Sequence, residues 1–458
     1  MRNGLVGGTF TLLCALLLHG CAVPSARENF DATAKLVARE APQGLAWRLD
    51  AAADAQAART VEALRADGIT ASEAVAIAFL ANPEVQLAIE KTEISRAEYV
   101  AAATPPNPYA IVGVRQPGGR YAAFYPRNNI SIGALQNVLA LLNGPERRRI
   151  ARIENERARA EAADQILGIA ARVQQAYIES VAADQVAQMR AEALQFAQRG
   201  IDSMQAAKAS ALNLALERNT IFGVQQAVWR AQLDARTARA KLAQLLGLAN
   251  GGDSLKLSSV LPELPAADPV LGDLERLALE RRLDLIVARA AIEGRVATLR
   301  AQRHWRWLGS LELGAFIERA ADGTSFIGPN AVVELPLLDQ RQSQLLINDS
   351  QMRTALRTLQ LLWLAARTDI QVHAAELATT RDMSQRYRNE VLPNHADIRA
   401  RVAQEPDATV LDHTRMARSD LAAREEAVGA LRDYWRARSA LARASGDWSA
   451  LNAWPIPK

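Results

Sequence analysis

Aromatic residues make up only 5% of this 458-residue chain, and glycine and proline are scarce at 25 and 18 residues. Few aromatics and few turn-formers argue against an open, loop-rich β-protein, and the surplus of Ala, Leu, Arg, Glu and Gln is that of long helices. Two cysteines, Cys14 and Cys21, leave no room for a disulfide framework or a multi-cysteine metal site. Both charge signs are interspersed at a net +4, without the basic block that a nucleic-acid arm would need, so no nucleic-acid partner is expected. Beyond the first 18 residues no run is long and apolar enough for a membrane-spanning helix. There is no P-loop, HExxH, CxxC or GxSxG, and the five histidines (His19, His304, His373, His395, His413) have no metal-ligand spacing. The reading is of a chain that is not an enzyme and has no catalytic, metal or cofactor-binding residues.

What is present begins at the amino end. Arg2 precedes an apolar stretch, Gly4 to Leu18, which ends in Leu18-His19-Gly20-Cys21. A basic start, a short apolar core and a small residue before the cut make a secretory signal over 1–20. Leu-x-Gly-Cys resembles the bacterial lipobox, in which the cysteine is lipidated and becomes the first mature residue; the alternative is a chance cysteine beside an ordinary cleavage site. Cys14 would leave with the signal, so Cys21 would have no disulfide partner. The covalent lipid on Cys21 is the one attached group expected.

The mature part repeats itself. "ANPEVQLA" (81–88) answers "RRLDLIVA" (281–288), "ALLNGPERRR" (140–149) answers "PLLDQRQSQL" (336–345), and "RAKLAQLLG" (239–247) answers "RSALARASG" (438–446). The three offsets are 200, 196 and 199 residues, which marks two copies of one unit. The expected organisation is an N-terminal periplasmic segment (21–68), repeat 1 (69–250), a Gly/Pro/Ser/Asp-rich linker (251–270), repeat 2 (271–446) and a tail (447–458). Each copy opens with helical periodicity, Ala71–Ala103 and Leu271–Arg303. A β-hairpin follows, 106–135 around "PGGRYAAFY" and 307–335 around "RAADG". Helix resumes after Asn143-Gly144-Pro145 and after Asp339, with Asn or Asp read as the N-cap. The long helices run Pro145 to about Met204, returning over Ser210–Leu246, and 340–403, returning over 407–444. Ile166, Ala170, Val173, Tyr177 and Val181 step by threes and fours, and Leu421, Val428, Leu431 and Trp435 form a stripe at spacings of seven, three and four, which predicts paired antiparallel helices. About 60 residues at 1.5 Å each is roughly 90 Å of helix.

Four strands leave two open edges, which lipid does not tolerate, whereas three chains would supply 12 strands. Tyr109, Tyr121, Phe124, Tyr125, Trp305, Trp307, Phe316 and Phe326 cluster in or beside the hairpins of an aromatic-poor chain, as a membrane-interface girdle would. The competing explanation is that they pack a small soluble β-domain.

The order of these segments resembles the TolC-like outer-membrane factors. "ITASEAVAIAFLANPEVQLA" (69–88) is similar to the family's repeat-opening segment, "VELPLLDQRQSQL" (333–345) to its strand-to-helix junction, and "LRDYWRARSALARASG" (431–446) to its closing helix. The resemblance implies a mainly α fold with a small β part. Two repeats of antiparallel coiled-coil helices and four strands per chain would trimerise into a 12-stranded barrel in the outer membrane and an α-helical tunnel in the periplasm. It implies a homotrimer in contact with outer-membrane lipid, working with a periplasmic adaptor and an inner-membrane pump of the resistance-nodulation-division type. It also places a gate at the periplasmic tips. Asp412 in "QEPDATVLDHTR" (404–415) falls where the family carries an aspartate, Asp407 is a second candidate, and Asn213 in "QAAKASALN" (205–213) holds the comparable place. Three symmetry copies of Asp412 would form a ring that attracts cations; the alternative is a helix-surface charge facing outward. Both tips depart from the family's Gly-x-x-Ser/Thr turn. Segments 307–345, 386–398 and "LRDYW" look closest to a branch associated with copper and other heavy-metal resistance, although "RVAQEPDATV" replaces that branch's Tyr-Asn-Ala-Met segment. The expected function is a passive export duct for small molecules or metal ions. The alternatives are a periplasmic coiled-coil lipoprotein with a scaffolding or adaptor role, or the outlet of a type I secretion system.

Overall fold

The computed structural model describes residues 23–39, 41, 44–116, 118–119, 124, 127–206, 208, 210–248, 255–257, 260–268, 274–305, 307–405 and 408–446. Cys21, with the signal before it, lies outside them, as do Tyr121, Tyr125, Asp407, most of the linker and the tail from 447. The chain divides into two compact units. The first takes residues up to 29, 91–159 and 287–360; the second takes 30–90, 160–286 and 361 onward. Each sequence repeat therefore contributes to both units.

The described chain opens with α1 (Ala26–Ala38) and α2 (Ala51–Arg65), then α3 (Ala71–Ala81) and α4 (Pro83–Ala103). Thr70 and Glu73 close a capping box that fixes where α3 begins. The sequence reading made α3 and α4 one helix. They part at Asn82 because the ring of Pro83 forces the preceding residue out of helical geometry, and Asn82 has ψ 124°. Strands β1 (Tyr109–Arg115) and β2 (Asn129–Asn137) follow. After them come α5 (Val138–Leu142), α6 (Gly144–Ala206) and α7 (Ala211–Leu245). The long helix α6 starts at Gly144, directly after Asn143 as the sequence reading placed it, although Asn143 Oδ1 makes no capping hydrogen bond; the reading missed the short α5 before it, which Asn137 caps by accepting from the Ala140 N–H at 2.7 Å.

Repeat 2 runs through α8 (Leu274–Arg281), α9 (Leu283–Trp305), β3 (Leu311–Arg319) and β4 (Ser325–Val333). It then gives α10 (Gln342–Arg386), α11 (Leu392–Gln404) and α12 (Val410–Ser445). Asp339 does not cap α10. Its Oδ1 accepts from the Arg341 N–H at 2.8 Å in a turn whose Arg341 has φ 59°, and the helix starts after it. The single helix expected over 340–403 is interrupted by a π-turn, Tyr387–Val391. Pro393 follows immediately; it lacks an N–H and crowds the preceding turn, and widening the helix there relieves both. The long helix of repeat 1, α6, has no proline after Pro145 and no such interruption.

The repeats meet their own ends alike. In repeat 1, Asn82 Nδ2 donates to the Leu245 carbonyl at 2.6 Å. In repeat 2 the corresponding break, at Arg282, donates from Nη1 to the Ala444 carbonyl at 3.2 Å. A glycine with positive φ seals each junction: Gly247 (φ +76°) against Ala81, and Gly446 (φ +68°) against Arg281. These contacts stand 199 or 200 residues apart, so the periodicity seen in the sequence is a periodicity of packing.

The core lies in the second unit. Ile166, Ala170, Val173, Tyr177 and Val181, the stripe read from the sequence, are all at most 1% exposed. They share a cluster with Ile77, Phe79 and Ile89 of the opening helices and with Tyr434 and Trp435 of α12. Ion pairs bind the helices at its rim. Arg190 of α6 makes a two-pronged contact with Glu425 of α12 (2.8 and 3.1 Å) and donates to the Ala227 carbonyl of α7. Burial raises the Asp184 carboxyl above its usual value even though Arg239 of α7 pairs with it at 2.8 Å. The end of the linker is tied down by Asp268, which takes the Tyr434 hydroxyl, Arg438 at 2.9 Å and Arg381 at 2.9 Å.

Two outcomes follow. Gly247→Ala puts a Cβ 2.4 Å from the Ala81 carbonyl oxygen in a left-handed backbone, so thermal unfolding of the purified chain should show a loss of about 1–3 kcal/mol. Gly446→Ala, whose Cβ would stand 3.2 Å from its nearest neighbour, should lose less. Burial and the bond to Asp268 push the Tyr434 phenol from 10.0 up to about 12. Its contribution is intact below about pH 10 and is lost as pH rises toward 12. In alkaline unfolding curves, Tyr434→Phe should flatten the decline across that window.

Candidate membrane face and gate residues

The strands form one antiparallel sheet in the order β1-β2-β3-β4, with each hairpin pairing internally and β2 joining the repeats to β3. Cross-strand partners share a face. One face carries Val112 and Val114 of β1, Ile130, Ile132 and Ala134 of β2, and Leu313, Ala315 and Ile317 of β3. Ile327, Pro329, Ala331 and Val333 complete it from β4. It is apolar over most of its area and it is open: Val112 is 69%, Ile132 57% and Ile327 79% exposed. Water would penalise such a patch. The other face carries Gly113, Arg115, Asn129, Ser131, Gly133, Glu312, Gly314, Glu318, Gly328 and Asn330, with Ile111, Leu135 and Val332 as its aliphatic members. Apolar-out and polar-in alternation over segments of 7 to 9 residues is the pattern of a membrane barrel wall. Glycine has a reason on the second face: a Cβ on Gly314 would fall 1.8 Å from the Ala134 carbonyl oxygen, where the strands come closest.

The aromatic residues divide. Phe124, 76% exposed, lies in the β1–β2 connection, whereas Trp305 and Trp307 stand at the helix-bearing end of the sheet, Trp307 58% exposed. These three flank the apolar face at its two ends. Tyr109, Phe316 and Phe326 do not join them, because the register sets all three on the polar, glycine-bearing face. The expectation that every hairpin aromatic belongs to one girdle is corrected for those three by the two-residue period of a strand.

At the helical tips, Asn213 and Asp412 occupy the same structural position, the third residue of the returning helix. Ser210 Oγ accepts from the Asn213 N–H at 3.2 Å, and Thr409 Oγ1 accepts from the Asp412 N–H at 3.3 Å. Asp412 completes a capping box, with Oδ2 accepting from the Thr409 hydroxyl at 2.6 Å and from its N–H at 3.1 Å. The Thr409 hydroxyl, then its N–H, hold the Asp412 carboxyl below the usual carboxylate range. Asp412 is therefore ionised at neutral pH, with one oxygen committed to the cap and Arg415 3.9 Å from the other. In the first tip a lysine takes the left-handed position usual for glycine, Lys208 with φ 53°.

Aromatic clustering does not reveal Glu312 and Glu318, which share a face with Phe316. The alternation in "LELGAFIER" contains them: every second residue from Glu312 is Gly314, Phe316 and Glu318, and the intervening ones are apolar until Arg319. Among the described residues no group of three His, Cys, Asp or Glu could hold a metal ion, and no helix is long and apolar enough to cross a membrane.

No protein-family model and no curated protein matches this chain. Solved structures do. The fold is that of the outer-membrane channels, and the resemblance to TolC-like outer-membrane factors holds at that level. The outer membrane protein VceC of Vibrio cholerae superposes with a TM-score of 0.64 at 17% identity, over 82% of this chain and 96% of that one. CusC, whose structures describe transmembrane channel formation, gives 0.66 at 16% identity over 82% and 91%. The outer membrane channel MtrE of Neisseria gonorrhoeae, in its open state, gives 0.64 at 15% identity over 82% and 88%.

The face assignment makes neighbouring residues behave oppositely. Ile132→Arg places a guanidinium on the apolar face and should destabilise the membrane-inserted form by about 2–4 kcal/mol. Ser131→Arg, one residue away on the other face, should insert with near wild-type yield. Folding into phospholipid vesicles, followed by urea titration, reads both.

Proposed function

We propose that the chain is one subunit of a homotrimeric outer-membrane export channel, a passive duct that catalyses nothing. The observation that carries this is the sheet: four strands, one exposed apolar face, and two edges, β1 and β4, that no described strand of the same chain pairs. Unpaired backbone groups do not persist in hydrocarbon, so edge must meet edge, and three copies joining β4 to β1 make a closed barrel of about 12 strands. The fold shared with VceC, CusC and MtrE supports the reading.

In this reading the apolar face meets outer-membrane lipid, with Phe124 at one boundary and Trp305 and Trp307 at the other. The helices lie in the periplasm, where a tripartite system would supply an adaptor and an inner-membrane pump of the resistance-nodulation-division type. Cys21 carries lipid as a second anchor, and Asp412 and Asn213 stand at the narrowed tips. Cargo is small molecules or metal ions; CusC, VceC and MtrE superpose almost equally well, so the structural likeness favours no particular cargo. A scaffolding lipoprotein requires the hairpins to stay in water, which the exposed isoleucines and valines oppose.

The purified chain in detergent should run as a trimer and give single-channel conductance in planar bilayers. A cysteine introduced at Phe124 should react with an impermeant thiol reagent on intact cells. A detergent-independent soluble monomer, or a label that reacts only after the outer membrane is broken, would count against the duct.

A further inference from the structure

We infer that the lumen face of the sheet carries a weak binding station for organic cations with an apolar body, built on Glu318 between Phe316 and Phe326. The inference rests on the channel reading and names the cargo chemistry that the duct favours.

Glu318 has Ser131 as its Cα partner in β2 and Phe326 as its partner in β4. Phe316 stands two residues earlier on the same strand and therefore on the same face. Its own partners are Gly133 and Gly328, so no side chain stands directly opposite the ring on either neighbouring strand, and the next in that row is Ile111, one strand further. A Cβ built on Gly328 would lie 3.8 Å from Phe316 Cε1, ordinary contact, which places the ring alongside that glycine. Gly113, beyond Ser131 in the Glu318 row, keeps the approach low on the β1 side. The result is a carboxylate with a phenyl ring on its cross-strand side and another along its own strand, in a clearing made by three glycines. Phe326 is 55% exposed.

Among the described residues no hydrogen bond or ion pair engages Glu318, in contrast to Asp412, whose carboxylate is spent on its cap. The other charged strand residues of this face are Glu312 and Arg115. Glu312 lies six positions along β3, and Arg115 two strands away beyond Gly113. A cation is drawn by the carboxylate and by the negative faces of the rings, and rings add to affinity when part of the cation is apolar. A small hydrated ion gains only the carboxylate. An anion gains nothing. A wall exposed to the aqueous lumen keeps the binding weak, as transit requires, because a station that holds cargo tightly would plug the pore. Threefold symmetry makes three stations at one height.

Tetrabutylammonium is the probe, added to the loop side of wild-type trimers in planar bilayers in potassium chloride. Two quantities are read: its half-blocking concentration and the potassium-to-chloride preference from the reversal potential. Glu318→Gln should raise the half-blocking concentration about tenfold and lower the cation preference. Phe326→Leu keeps an apolar side chain without the ring and should raise it about threefold with the reversal potential unchanged. Glu312→Gln should lower the cation preference while leaving the block where it was. Phe316→Leu repeats the ring test if Glu318→Gln does not assemble. Conducting trimers in which the Glu318 and Phe326 variants, or both ring variants, are blocked like wild type overturn the station and leave the channel standing. A block weakened equally by Glu312→Gln also overturns it, since charge anywhere in the lumen would then suffice. A wild-type chain that assembles no conducting trimer overturns the channel reading and the station with it.

Discussion

A β-sheet with one apolar face and two unpaired edges has no stable resting place as a single copy. Water penalises the face, because exposed isoleucine and valine order solvent or aggregate. Lipid accepts the face but penalises the edges, because unpaired N–H and C=O groups find no partner there. Both demands are met at once only when copies of the chain join edge to edge. Two hairpins, one from each repeat, are held side by side through the β2–β3 pairing, so that a single chain builds one four-stranded sheet whose edges are β1 and β4.

The repeat makes this possible. Asn82 and Arg282 are different residues, yet each stops its opening helix and ties the stop to the end of its own return helix, at Leu245 and Ala444. Gly247 and Gly446 seal the same junctions with left-handed backbone. Where the repeats differ, the difference is local. Pro393 opens a π-turn in the second long helix, while the first runs unbroken from Gly144 to Ala206. The sheet itself is differentiated by face: one is mostly aliphatic, while the other carries glycine, polar groups and a few rings, and close strand approach leaves no room for a Cβ at Gly314.

The carboxylates of the chain show how surroundings divide similar groups among different tasks. Asp412 is consumed by the start of a helix, Asp268 by an arginine pair and a buried phenol, and Asp184 by a buried pair whose desolvation outweighs its partner. Glu318 has none of these attachments and stands beside two rings. That contrast, rather than the presence of acid, gives the lumen face its chemical interest.

Much of the plan was legible in the chain itself. The offset near 200 residues announced two copies, and the three-and-four spacing from Ile166 to Val181 picked out residues that are buried. The two-residue alternation of the hairpins announced strands. These are local periodicities, which backbone geometry converts directly into faces. Which aromatic faced which way was not read, because "hairpin aromatic" ignores register. Tyr109, Phe316 and Phe326 lie on the glycine-bearing face by the pairing that also sets Ile317 and Ile327 on the apolar one. The start of the second long helix was misplaced at Asp339, whose side chain closes a turn on Arg341 instead of capping, and the short helix capped by Asn137 was not read at all, because both depend on how the chain leaves its strand. The sequence by itself determined the repeat, the elements and their apolar stripes, since each follows from spacing along one chain. Only the tertiary structure decided what each face is made of and which carboxylates are already engaged, since both depend on residues brought together from distant parts of the chain.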